Sequence, residues 1–335
     1  MIIPIKTDTN ITVDEIDITE TSFKSLNLKE SHIEEFIRTN IELLLTDESL
    51  LIIGSQVTNS EKGRSDLTAI DENGNLVLIE IKRDVDDIMA RKEELEFQAI
   101  RYAAGYAKIK TPDELVEKIF APYVTKYTEE FDLGGLTPHE KATRILESFL
   151  DKNNALKTFN KKQRIILISS SFDRQTESAV AWLIANHVDI SCFTLKPLKV
   201  GAGLFLEINR LLPPQLLEDF YVEISEKKTA EVRCEGSTGI TRTYLPRMDK
   251  LFEWGLLKVG DFVVIKNFDD GGSAVVRDFR TVEFHGEVMT FNNWAEKVTG
   301  WSAVNIYEWT LIKGETKTLD QKRREKMAEL EEMRG

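Results

Sequence analysis

The sequence is short of cysteine and histidine, has no long apolar run, and carries no excess of positive charge. Its 2 cysteines, Cys192 and Cys234, are too few and too far apart for a disulfide framework or a Cys-x-x-Cys zinc site, which points to a reducing, cytoplasmic setting. His32, His139, His187 and His285 are scattered without ligand spacing, so none is assigned to a metal. Residues 1–17 lack a basic start followed by an apolar stretch, and no later segment approaches the roughly 20 apolar residues that span a bilayer. With 57 acidic against 44 basic residues the formal charge is −13, which argues against indiscriminate coating of nucleic acid, since that binding uses Lys and Arg to displace counterions. The same balance leaves room for a local DNA-facing charge and for acidic metal ligands.

What is present is a chain of 335 residues, 41% hydrophobic, enough for two domains at roughly 100–200 residues each. Residues 29–45 place Ile33, Phe36, Ile37, Ile41 and Leu44 at helical spacing, with Ser31 as N-cap and Glu34 in its capping box. A strand over 50–57 precedes a hairpin, 64–71 with 76–82, joined by Asp71-Glu72-Asn73-Gly74-Asn75, whose Asn-Gly is a turn signal. Asp71 is read as shaping that turn. One long helix is expected over 86–108, two helical patterns over 111–160, and a strand-helix-strand unit over 164–195 that extends a mixed sheet. A further strand is expected at 204–208.

A polar, turn-rich linker at 226–239 separates a second unit with helices at 245–254 and 292–299 and strands at 261–266, 273–277 and 307–312. Residues 315–335 read as an exposed charged helix or tail. The expected fold class is α/β: a mixed sheet flanked by helices, followed by a smaller α+β domain.

The chemistry-bearing segment is Gly63-Arg64-Ser65-Asp66-Leu67 followed by Leu78-Ile79-Glu80-Ile81-Lys82. In a strand, residues two apart share a face, so Glu80 and Lys82 project together while Ile79 and Ile81 turn the other way. Charges inside an apolar strand are costly without a partner. A hard divalent cation held by Asp66, Glu80 and the carbonyl of Ile81 supplies one, and Lys82 would then stand beside its water and a phosphate.

These residues resemble the PD-(D/E)XK nuclease superfamily, with Asp66 as the motif aspartate and Glu80-Ile81-Lys82 as the second element; Ser65 replaces the usual proline. The context looks most like NucS-type, restriction-like endonucleases. The resemblance covers roughly 29–108 and implies a restriction-endonuclease-like fold; the nuclease domain is expected over 1–225, with its core at 29–108 and 164–208 and a helical insertion at 111–160 that the resemblance does not account for. It implies a further acid from the first helix, Glu34 with Glu35 as the competitor. Gln98 and Tyr102 match the Gln-xxx-Tyr helix of RecB-like members and share one helix face. The implied cofactor is Mg²⁺, with Mn²⁺ as a substitute, and the implied activity is hydrolysis of DNA in bacterial defence. Arg64 and Arg83 are phosphate-contact candidates, with surface ion pairs as their ordinary role.

Residues 240–314 resemble the RAMA domain, which implies DNA binding with sensing of modified bases. Trp301 and Asn305 are its ligand-contact candidates, Trp254 and Trp309 are core candidates, and Arg242, Arg247 and Lys250 are a basic rim. A homodimer is expected from the need for two active sites in a double-strand break. The competing expectations are a DNA-binding adaptor that does not cut and a nuclease of RNA or single strands.

Overall fold

The computed structural model describes residues 5–7, 11–13, 18–45, 48–58, 63–90, 93–214, 245–268, 272–301 and 303–334. The linker at 226–239, with Cys234, and Arg242 lie outside the described residues. Strands β1 (Ile5–Thr7) and β2 (Ile11–Val13) pair only with each other. The main sheet contains β3 (Ile18–Glu20), β4 (Leu50–Thr58), β5 (Arg64–Asp71), β6 (Leu76–Ile81), β7 (Gln163–Ser169), β8 (Ile190–Val200) and β9 (Gly203–Leu212). Its order is β3-β8-β7-β6-β5-β4, with β9 also on β8; β6-β7 and β7-β8 are parallel and the other pairs antiparallel. The α/β expectation therefore holds at the level of a mixed sheet with helices and a separate second sheet.

Both faces of the central strands are covered. Leu76 and Leu78 of β6 enter one apolar cluster, and Val77, Ile79 and Ile81 enter another. Helix α1 (Glu30–Thr39) lies on the second face. It starts at Glu30, with Lys29 rather than Ser31 as N-cap, because the Lys29 N–H is taken by His32 Nδ1 at 3.2 Å. Glu34 is thus released from any capping role.

The single helix expected over 86–108 is instead α2 (Val85–Met89) and α3 (Leu95–Tyr106). Glu94 is extended at the start of α3, which gives the second helix its own direction across β6 and β7. The layer at 111–160 contains α4 (Pro112–Leu115), a π-helical turn (Val116–Phe120), α5 (Ala121–Lys126) and α6 (Pro138–Lys152). Arg38 ties α1 to this layer by bonds to Glu130 and the Tyr123 hydroxyl and by lying 4.0 Å over the Tyr127 ring. Helix α7 (Arg174–Ala185) completes the crossover from β7 to β8.

In the β5–β6 turn, Asp71 Oδ1 accepts the N–H groups of Asn73 and Asn75, both at 2.9 Å. Gly74 has φ +78, and a Cβ there would meet Ala155 O at 2.9 Å, so both conformation and space require glycine.

The second unit has α8 (Met248–Glu253), β10 (Phe262–Ile265), β11 (Ala274–Val276), β12 (Thr281–Phe284), β13 (Glu287–Thr290), α9 (Phe291–Thr299), α10 (Ile306–Trp309), β14 (Thr310–Ile312) and α11 (Leu319–Arg334). Its antiparallel sheet runs β13-β12-β11-β10-β14 around a core that includes Leu251, Val263, Ile265 and Trp294. The strand expected at 307–312 begins as a helical turn, because the Asn305 side chain caps it by accepting from Tyr307 N and Glu308 N. The charged tail is helical as expected, but its first turn is buried at Leu319, Asp320 and Arg323 rather than exposed. Among the described residues no helix is long and apolar enough to cross a membrane.

The two units meet at one end of the main sheet. Buried Glu48, just before β4, pairs with Arg164 of β7 and with Arg247 of the second unit. Asn292 donates to Glu48 O at 2.8 Å, Ser49 Oγ donates to Val304 O, and Trp309 Nε1 donates to Lys152 O at 3.1 Å. Removing Glu48 leaves Arg164 with Asp189 at 3.7 Å and takes a carboxylate from Arg247, so Glu48→Ala should destabilise the protein by about 1–3 kcal/mol in urea unfolding.

Glu296 of α9 lies near Glu42 at this joint, and burial, then the Glu42 charge, pushes its carboxyl up to about 7. A carboxyl raised in the folded state takes up a proton on folding, so its share of stability is lost as pH rises from the ordinary carboxylate range towards 7. The melting temperature of Glu296→Gln relative to wild type should therefore climb between about pH 5 and pH 8; a difference that stays flat would refute the assignment.

Candidate active site

The opposite end of the sheet carries the acidic side chains. Strand β5 begins there and antiparallel β6 ends there, which brings Asp66 beside Glu80, Ile81 and Lys82. Asp66 Oδ2 accepts the Ile81 N–H at 2.7 Å. The Lys82 ammonium, with its residue only 1% exposed, lies 3.4 Å from Asp66 Oδ2, 3.4 Å from Glu80 Oε1 and 3.1 Å from Glu30 Oε1, and it donates to Ile81 O. Those oxygens of Asp66, Glu80 and Ile81 are the donor set that the sequence assigns to a metal.

Helix α1 brings two acids to the same place. One carboxylate oxygen from each of Glu30, Glu34 and Asp66 lies within 4.8 Å of the other two. Glu35 points elsewhere, into its ion pair with Arg38, so Glu34 rather than Glu35 is the helix acid at the site. Glu30 is missed by the sequence reading. Its i to i+4 relation to Glu34 is a usable signal only once the helix is known to start at Glu30.

Helix α3 grips the two strands at one-turn intervals. Gln98 Nε2 donates to Glu80 Oε1 at 3.0 Å and to the Tyr102 hydroxyl at 3.2 Å. The Tyr102 hydroxyl accepts the Arg64 N–H at 3.1 Å, and one turn on the Tyr106 hydroxyl bonds Ser65 Oγ at 2.7 Å and Thr68 Oγ1 at 2.5 Å. Burial pushes the Tyr106 phenol up to about 12. The hydroxyl of Ser65 is thus a bonded part of the clamp next to Asp66.

The remaining predicted residues are dispersed. Arg83 pairs with Asp87 at 2.9 Å, while the Arg64 residue is exposed at the start of β5. Trp301 lies in the second unit, edge-on to Phe268 and Trp309, with Lys152 Nζ 3.9 Å over its ring. Asn305 is spent on its cap and is buried. Neither is near the carboxylates, since the second unit sits at the other end of the sheet.

Three carboxylates, Glu30, Asp66 and Glu80, thus meet one ammonium, and a fourth, Glu34, stands beside Glu30 and Asp66, an excess of negative charge in a largely buried place. The strain shows at Asp66, whose carboxyl is raised first of all by burial, against the opposing pull of Lys82. All donors are oxygen, which fits a hard divalent cation.

Removing the Asp66 charge should relieve this cost of burial. Asp66→Asn keeps an acceptor for the Ile81 N–H and should raise the metal-free melting temperature by about 2 °C or more. It should also lose the further rise that millimolar Mg²⁺ gives wild type. An equal Mg²⁺ response in both proteins would count against a cation at Asp66. No protein-family model, no curated protein and no solved structure matches this chain.

Proposed function

We propose that this chain is a Mg²⁺-dependent endonuclease of the PD-(D/E)XK type that hydrolyses phosphodiester bonds in DNA. The observation that carries the reading is the convergence of Asp66, Glu80, the Ile81 carbonyl and Lys82 from two adjacent strands, with Glu34 joining from a helix on the other face of the sheet. A binding scaffold has no need to bury a lysine among carboxylates. A hydrolase does, because it must neutralise charge that develops on the phosphate.

In this reading Asp66, Glu80 and the Ile81 carbonyl hold the cation, with Glu34 and Glu30 beside them. The cation supplies charge neutralisation and a more acidic water. Lys82, held in place by Asp66 and Glu80, donates to a non-bridging phosphate oxygen, and its fixed position is what makes it electrostatically useful at the moment of reaction. Gln98 holds Glu80 in place from α3, and Tyr102 and Tyr106 hold the start of β5. Arg64, exposed two residues before Asp66, is read as a phosphate contact. The second unit, held apart from the carboxylates, is read as the part that selects DNA, including base-modified DNA, and a homodimer supplies two sites for a double-strand break.

The test incubates the full chain with matched unmodified and base-modified plasmids, with Mg²⁺ or chelator, and scores nicking and linearisation. Wild type should cut only with the metal, and Lys82→Ala should cut about 100–1,000-fold more slowly while still binding DNA. Binding of duplex without any metal-dependent cutting would replace this reading with a DNA-binding adaptor. Cutting confined to RNA or single strands would keep the chemistry and change the substrate.

A further inference from the structure

Among the described residues, the non-glycine positions with positive φ are Asn27, Asn154, Asn160 and Asn267, His187 and His285, and Gln56. Asparagine and histidine are enriched in that region of backbone space, and glutamine is not. Gln56 also differs in place: it lies within strand β4, whereas none of the others lies in a strand. Its φ is +55. The flanking register, Ser55 opposite Leu67 and Val57 opposite Ser65, sets Gln56 across from Asp66.

The neighbourhood holds this kink in place from both sides. One residue is inserted between Ile52 and Gly54, and a Cβ on Gly54 would lie 2.8 Å from Ile119 Cγ2 and 2.8 Å from Val57 Cγ2, so the strand is pressed close to the helical layer. Ser55 is met by Lys126 Nζ at 3.3 Å and by the Tyr127 hydroxyl at 3.4 Å. The strand then turns left-handed at Gln56, and the side-chain amide reaches α1, where Nε2 donates to Glu34 Oε2 at 2.9 Å.

The geometry points to Gln56 as the positioning residue that sets Glu34 into the cation site, with a locally unfavourable backbone as the means of aiming it. This rests on the metal-dependent reading above and adds to it a residue that belongs to neither motif. Backbone strain that persists beside a functional group is the sign that the surroundings over-determine it. The choice of an amide also has a chemical reason. A lysine or arginine at this point would fix Glu34 equally well but would cancel part of the negative charge that draws the cation, whereas the neutral amide orients the carboxylate and leaves its charge intact.

Strain and aim can be separated, because glycine accepts φ +55 without penalty and has no amide to offer. The experiment measures Mn²⁺ binding by calorimetry and melting temperature for wild type, Gln56→Gly, Gln56→Ala and Glu34→Gln in the full chain, all without DNA. Gln56→Gly should melt no lower than wild type, and Gln56→Ala, which keeps the strained backbone, should melt lower. Both should bind Mn²⁺ at least about tenfold more weakly, as loss of an outer-shell partner does, and approach Glu34→Gln. Wild-type Mn²⁺ affinity in Gln56→Gly would overturn the assignment while leaving the metal site standing. Absence of Mn²⁺ binding in wild type would overturn the metal-dependent reading and this inference with it.

Discussion

Everything at the acidic end of the sheet follows from one electrostatic imbalance: more carboxylates than a single buried ammonium can neutralise. Glu30, Asp66 and Glu80 share the Lys82 ammonium, and Glu34 stands against Glu30 and Asp66 with the neutral Gln56 amide as its partner among the described residues. Buried ion pairs are weak sources of stability, since desolvation offsets much of their attraction. A group of this kind persists because the surrounding fold holds it, and the holding is visible in three directions: α3 from one face, α1 from the other, and the kinked end of β4 from the side.

Helix α3 shows how a few contacts can do this. Gln98, Tyr102 and Tyr106 recur every fourth residue, so they line one face of the helix and meet, in turn, the end of β6, the first backbone N–H of β5 and the Ser65 hydroxyl. The clamp crosses between strands, which fixes their relative position as well as each strand alone. It also gives the insertion at 111–160 a purpose in the architecture: through Arg38 it holds α1, and through Ser55 it holds β4, so both outer contributors to the site are braced by the same layer.

Much of the site was legible in the sequence because strand periodicity is strict. Glu80 and Lys82 had to share a face, and an Asn-Gly turn had to return the chain so that Asp66 came alongside. What escaped depended on boundaries or on distant partners. Glu30 was hidden by a helix start placed at Ser31, where a local capping rule gave way to the His32 contact at Lys29. Tyr106 lies one turn beyond the Gln98 and Tyr102 pair, and only its bonds to Ser65 and Thr68 in the folded chain reveal it. Gln56 carries no signal in one dimension, since a positive φ inside a strand is imposed by packing. In the second unit the hairpin of β12 and β13 was missed because its turn is His285-Gly286, outside the usual turn pairs, and the strand at 310–312 was drawn too long because Asn305 was not recognised as a cap.

The placement of the joint has a metric consequence. From Asp66 to Asp71, the length of β5 that separates the carboxylates from the far end of the sheet, is five residues, or about 17 Å at about 3.3 Å per residue. Because Glu48 pairs with Arg164 of the sheet and Arg247 of the second unit, that separation between the second unit and the carboxylates is set by contacts of the fold.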